Sequence, residues 1–128
     1  MSLAPRLTTM VVDDTGVSRA LLINGLNELG FEHIQIAKDG KQALEALRAK
    51  PVHLVFSDFN MPHLDGLQLL KALRGAPATS AIGFILVTGA EDKALIMRGQ
   101  QLGMNNYLAK PFDRASLKST IEAVVGPL

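Results

Sequence analysis

Leu54-Val55-Phe56-Ser57-Asp58 is the stretch on which the fold turns. Its three successive apolar residues lack the polar alternation of a half-exposed strand, so the run reads as a strand covered on both faces, and it ends on an acid. Just upstream, residues 40–49 place Ala43, Leu44 and Leu47 on one helical face. Just downstream, past Pro62 and the Asp65-Gly66 pair, Leu67, Leu70 and Leu73 mark a second helix. The same unit recurs in both directions. Thr8-Thr9-Met10-Val11-Val12 is strand-like and stops at Asp13-Asp14; residues 15–29 follow with Leu21, Leu22, Gly25, Leu26 and Leu29 at helical spacing, and Gly30 ends them. Residues 34–37 form a brief strand. Gly75-Ala76-Pro77-Ala78-Thr79-Ser80 is a loop by composition, and Phe84-Ile85-Leu86-Val87-Thr88 is the most strand-like run of the chain. Residues 92–102 read as a helix stopped by Gly103, with Leu95, Gly99 and Leu102 inward. Asn106-Tyr107-Leu108-Ala109 is a short fifth strand closed by Pro111, and Asp113 N-caps a last helix with Leu117, Ile121 and Val124 inward.

Five strand–helix units with continuously apolar strands imply an α/β protein whose parallel sheet is buried by helices on both faces. The expected architecture is a flavodoxin-like, doubly wound (βα)5 fold with strand order 2-1-3-4-5; a closed eight-fold barrel needs roughly twice the length. No linker interrupts the 128 residues, so residues 1–128 are expected to form one domain with no output domain. Apolar residues make up 48% and charged residues 20% of the chain, with a formal net charge of +1, which is the balance of a folded globular protein. No Lys/Arg-rich tract points to nucleic acid, and no apolar run approaches the roughly 18 residues of a membrane span. Cysteine is absent, which removes disulfides, thiolate metal sites and cysteine nucleophiles. The N-terminus lacks a signal-peptide layout, and the chain is expected in the cytoplasm, as a monomer.

In an open α/β sheet, ligands bind beyond the carboxyl ends of the strands. Those ends carry Asp13 and Asp14, Asp58, Thr88 and Lys110. Three carboxylates brought together repel one another, and a hard divalent cation relieves that repulsion; an all-oxygen set suits Mg2+. The plain alternative is that these acids cap the helices that follow, which would explain one acid per strand end but not Asp13-Asp14 with Asp58. A cation beside a carboxylate, a lysine and a threonine points to phosphoryl chemistry with an aspartate nucleophile, the lysine and cation neutralising phosphoryl oxygens and the Thr88 hydroxyl taking the remaining one.

Val11-Val12-Asp13-Asp14, Phe56-Ser57-Asp58-Phe59-Asn60-Met61-Pro62-His63-Leu64-Asp65-Gly66, Val87-Thr88-Gly89 and Lys110-Pro111-Phe112 resemble, in order and spacing, the signature set of two-component response-regulator receiver domains. The likeness runs from about Thr8 to Val125. It is nearest to the single-domain chemotaxis regulators of the CheY type through Asn60-Met61-Pro62, Leu67-Gln68-Leu69-Leu70-Lys71 and the stretch from Asn105 to Phe112. The resemblance implies Asp58 as acceptor of a phosphoryl group from a CheA-like histidine kinase. It implies Asp14 and Asp58 as direct Mg2+ ligands, Asp13 acting through water and Asn60 through its backbone carbonyl. Thr88 would turn toward the phosphoryl group, Lys110 would pair with it after a cis Lys110-Pro111 peptide, and Tyr107 would move inward as the switch partner of Thr88. A downstream protein would dock on the face of helix 4, strand 5 and helix 5, where Ile96, Met97, Tyr107 and Lys118 are candidates.

The chain departs from the chemotaxis pattern at Gly89 and Ala90, where a small alanine and a polar or acidic residue are frequent. Gly89 leaves access to an acyl phosphate wider, and Ala90 cannot orient an attacking water. Thr15-Gly16-Val17-Ser18-Arg19 is smaller and more polar than in the enteric motor regulators. His33, His53 and His63 have no partner at metal-ligand spacing and are expected on the surface. Two other functions compete with an effector switch. A phosphate sink or relay intermediate uses the same residues. An aspartate-nucleophile phosphatase, a true enzyme with turnover, needs a second acid two residues after the nucleophile, where this chain has Asn60. The expected chemistry is therefore acceptance and self-hydrolysis of one phosphoryl group without external turnover.

Overall fold

The computed structural model describes residues 2–89 and 92–128. Among them, five strands form one parallel sheet, β1 (Thr8–Val12), β2 (His33–Ala37), β3 (Leu54–Asp58), β4 (Gly83–Thr88) and β5 (Asn106–Ala109), in the order β2-β1-β3-β4-β5. Five helices alternate with them: α1 (Gly16–Glu28), α2 (Gly40–Ala49), α3 (Gly66–Arg74), α4 (Lys93–Gln101) and α5 (Arg114–Val125). This is the expected order, with boundaries within about two residues of those read from the pattern.

The apolar strands sort their side chains to two sides, as the two-residue period of a strand requires. Met10, Val12, Val55, Phe84 and Leu86 meet Ala43, Leu47, Leu67, Leu70, Leu73 and Leu95 from α2, α3 and α4. Val11, Phe56, Ile85, Val87 and Leu108 meet Leu22, Leu26, Leu117 and Ile121 from α1 and α5. The unbroken run in β3 is thus shared between two cores, and burying a side chain such as Phe56 contributes roughly 1.5–3 kcal/mol.

Leu22 and Leu26 of α1 are buried as the helical spacing requires, but Leu21, from the same stripe, is 61% exposed. It lines an open groove between α1 and the segment leading into α5, together with Val17, Pro111 and Phe112. Helix α1 approaches α5 so closely that a Cβ on Gly25 would stand 2.7 Å from Leu117 Cδ2. Met97 on α4 is 58% exposed as expected, whereas Ile96 is half-buried against the core under α4. The three histidines are exposed; His53 is not idle, since its Nδ1 accepts from the Thr8 backbone N–H at 3.0 Å. Among the described residues no helix is long and apolar enough to cross a membrane.

Candidate functional site

Parallel pairing in a fixed register brings the strand ends level. Asp58 stands opposite Val87, Thr88 opposite Ala109, and the Lys110 N–H donates to the Thr88 carbonyl at 2.8 Å. The chain leaves β1 at Asp13, whose own N–H donates to Ala37 of the neighbouring strand at 3.1 Å. Acids 13, 14 and 58 therefore meet on one rim: each offers a carboxylate oxygen, and these oxygens lie within 4.8 Å of one another. Lys110 Nζ bridges them from the side, 3.7 Å from Asp13 Oδ2 and 3.7 Å from Asp58 Oδ1.

The helix-capping alternative is settled by the hydrogen bonds. Helices α2, α3, α4 and α5 are capped by Asp39, Asp65, Asp92 and Asp113, each accepting from a backbone N–H three residues on. Asp58 caps none of them; its Oδ1 accepts from its neighbour Phe59 N–H at 2.8 Å. Asp13 Oδ1 accepts from Thr15 N–H at 2.8 Å, shaping the turn before α1. The acids at the strand ends are thus separate from the acids that start these four helices.

Their environments differ. Asp13 is 3% exposed, Asp58 half-buried and Asp14 exposed. Burial pushes the Asp58 carboxyl up from its ordinary value of 3.8; the Lys110 ammonium opposes this, Asp13 adds to it, the Phe59 N–H opposes it, and Asp14 adds to it. A carboxylate uncomfortable as an anion, open on one side and ringed by two others, fits a divalent cation, and Asp13, Asp14 and Asp58 could hold a metal ion.

Of the other expected site residues, Thr88 is buried at the end of β4 and Asn60 is exposed two residues beyond Asp58. Tyr107 is half-buried, opposite Leu86, and packs against the core under α4. The Lys110-Pro111 peptide is cis. Gly89 is open, with nothing within 4 Å of where a Cβ would stand; Ala90 lies outside the described residues.

Two residues at or beneath this end of the sheet, Gly66 within the quoted signature and Arg19 outside it, carry weight to which the sequence assigns no role. Gly66 packs its α-carbon against the carbonyl of Asp58, so that any Cβ would collide with that oxygen. Arg19 donates Nη1 to the Asp13 carbonyl at 2.8 Å. The Asp65-Gly66 pair after β3 and a basic residue one turn into α1 are their only marks in the sequence.

The comparisons with known proteins agree with this geometry. The family model for the response regulator receiver domain matches residues 9–122, and the chain belongs to that family. The chain is 47% identical to the "Probable chemotaxis protein CheY" of Rhizobium etli over all 128 residues, covering 99% of that protein. It is 36% identical over 118 residues to chemotaxis protein CheY1 of Helicobacter pylori, covering 91% of this chain and 95% of that one. Among solved structures, the receiver domain of the sensor histidine kinase PA1611 from Pseudomonas aeruginosa superposes with a TM-score of 0.84 at 27% identity. That match covers 94% of this chain and 98% of the other, which carries a magnesium ion coordinated in its active site cleft.

Proposed function

We propose that the chain, as one receiver domain over residues 1–128, is a response regulator of chemotaxis signalling in the cytoplasm that accepts a phosphoryl group on Asp58. The observation that carries this reading is the placement of Asp58, half-buried with carboxylate oxygens of Asp13 and Asp14 within 4.8 Å and Lys110 Nζ at 3.7 Å. The donor is a phosphohistidine of a CheA-like histidine kinase. An Asp58 carboxylate oxygen forms a bond to phosphorus as the histidine nitrogen–phosphorus bond breaks, the electron pair leaving with the nitrogen. Asp13, Asp14, Asp58 and the Asn60 carbonyl would hold Mg2+, which when bound neutralises phosphoryl oxygens. The magnesium in the similar PA1611 receiver domain supports that choice of ion.

Lys110 pairs with one phosphoryl oxygen and the Thr88 hydroxyl donates to another. Drawing Thr88 toward the phosphoryl group opens space beneath β4, into which Tyr107 turns. The equilibrium between two arrangements of the α4–β5–α5 face then shifts, and a downstream protein reads it at Met97, Tyr107 and Lys118. Water later attacks phosphorus, the oxygen–phosphorus bond to Asp58 breaks and inorganic phosphate leaves, so each round accepts and loses one phosphoryl group and no phosphate ester is turned over. Likeness in sequence to two chemotaxis proteins supports the pathway.

Incubation with a small-molecule phosphodonor and Mg2+, read by intact mass, is expected to add one phosphoryl group to the wild type and none to Asp58→Asn. Addition to the variant, or sustained phosphate release from a plain phosphate monoester that is not a phosphodonor, overturns the assignment.

A further inference from the structure

The acidic turn between β1 and α1 is anchored differently from the starts of the other helices. Helices α2 to α5 are each opened by an aspartate side chain that accepts a backbone N–H, but Thr15, the N-cap of α1, makes no such bond. The link between turn and helix runs through Arg19 instead. Its guanidinium Nη1 donates to the Asp13 carbonyl at 2.8 Å, while its backbone N–H bonds to the Thr15 carbonyl at 2.9 Å. Asp13 is thereby held through both of its peptides: its N–H is fixed on Ala37 of β2 and its carbonyl on α1.

Arg19 and Lys110 are two cations near one acidic cluster, and they are used in opposite ways. Lys110 sits among the carboxylates and pairs with Asp13 and Asp58. Arg19 spends its donor on a backbone oxygen, and among the described residues it forms no ion pair. The carbonyl it grips belongs to the peptide that joins Asp13 to Asp14. Rotation of that peptide swings the Asp14 carboxylate relative to Asp58.

We propose that Arg19 is a positioning residue for divalent-cation binding, fixing the Asp13–Asp14 peptide so that the Asp14 carboxylate stands beside Asp58. This rests on the reading of Asp13, Asp14 and Asp58 as a cation site. Electrostatics alone demands the opposite sign: deleting a positive charge beside an anionic site tightens cation binding. Losing a charge-assisted hydrogen bond that orients a ligand weakens it.

Mg2+ affinity measured by titration calorimetry on the wild type, Arg19→Met and Arg19→Lys separates the two, with thermal unfolding in EDTA recorded for each protein. Arg19→Met keeps an aliphatic stem and loses the donors; its Kd for Mg2+ is expected to rise about 10-fold, equivalent to about 1.4 kcal/mol. Arg19→Lys keeps a cationic donor group and is expected to recover part of that loss, with a Kd roughly 3-fold above the wild type. A merely structural role lowers the melting temperature in EDTA without moving the Kd of the folded protein. Unchanged or tighter Mg2+ binding by Arg19→Met overturns the proposal. If Arg19→Met is unfolded in EDTA, an unchanged Kd in Arg19→Lys overturns it equally. A wild type with no saturable Mg2+ binding refutes the cation-site reading itself, and the inference falls with it, an outcome visible before any variant is made.

Discussion

Replacing Asp58 with asparagine should make the cation-free protein more stable. The Asp58 carboxylate has Asp13 and Asp14 oxygens within 4.8 Å and Lys110 Nζ at 3.7 Å. At an effective dielectric constant of about 20, each repulsion at that limit is about 3.5 kcal/mol and the attraction about 4.5 kcal/mol, leaving about 2.4 kcal/mol net against the anion. Solvent and salt screen the exposed Asp14 side of the cluster, which brings the expected gain down to roughly 1–2 kcal/mol. Asparagine keeps an Oδ1 to accept from Phe59 N–H, so the substitution leaves that bond in place. For a chain of this size the melting temperature should rise by about 3–8 °C in EDTA at pH 7, followed by circular dichroism.

The pH dependence fixes the cause. The native state holds the Asp58 proton to higher pH than the unfolded chain, whose carboxyl lies near 3.8. Between that value and the raised native one, the folded protein binds more protons than the unfolded, so wild-type stability falls as pH rises through the window. The advantage of Asp58→Asn should therefore shrink toward acid pH and grow as pH rises through that window. Millimolar Mg2+ should raise the melting temperature of the wild type more than that of the variant. A variant less stable than wild type in EDTA at pH 7, or one with an equal Mg2+ response, would refute the argument.

Gly66→Ala forces a methyl group into the Asp58 carbonyl and within 3.1 Å of Leu86 Cδ1; a loss of about 1–3 kcal/mol is expected in urea unfolding, with an unchanged m-value. Arg74→Lys breaks a fork that donates to the carbonyls of Ser80, Ile82 and Gly103 and to Asn105 Oδ1, and about 2–4 kcal/mol should be lost in the same assay. Gly89→Val projects into open space, so stability should stay within about 0.5 kcal/mol, while phosphorylation by a small donor, timed by intact mass, should slow several-fold as the approach to Asp58 narrows.

Most of the layering was legible because it follows from periodicity. Leu54, Val55 and Phe56 could be consecutive only if both faces of β3 were covered, and the strand ends then had to collect Asp13, Asp14, Asp58, Thr88 and Lys110. What stayed hidden was of two kinds. Leu21 matched the helical stripe, but α1 reaches the sheet through Leu22 and Leu26 and meets α5 at Gly25, which turns Leu21 outward beside the groove. The period says which residues are neighbours on a helix, not how wide the covered stripe is. Arg19 and Arg74 were invisible for another reason: both bind backbone carbonyls, and a carbonyl leaves no mark in a sequence. Ile96 fell between these cases, placed outside the stripe yet half-covered by its neighbours.

The two cores on either side of the sheet are completed at different times in the life of the chain. The core under α2, α3 and α4 draws its helices from the middle of the sequence and needs no residue of α5. The other needs Leu117 and Ile121, which follow all five strands in the sequence, to cover Val11, Phe56, Ile85 and Val87. Until α5 emerges, one whole side of the sheet is bare apart from α1. A chain that lacks α5 therefore presents a greasy surface on that side. A chain cut just before Arg114 would hold a ready target for any chaperone that recognises apolar strands.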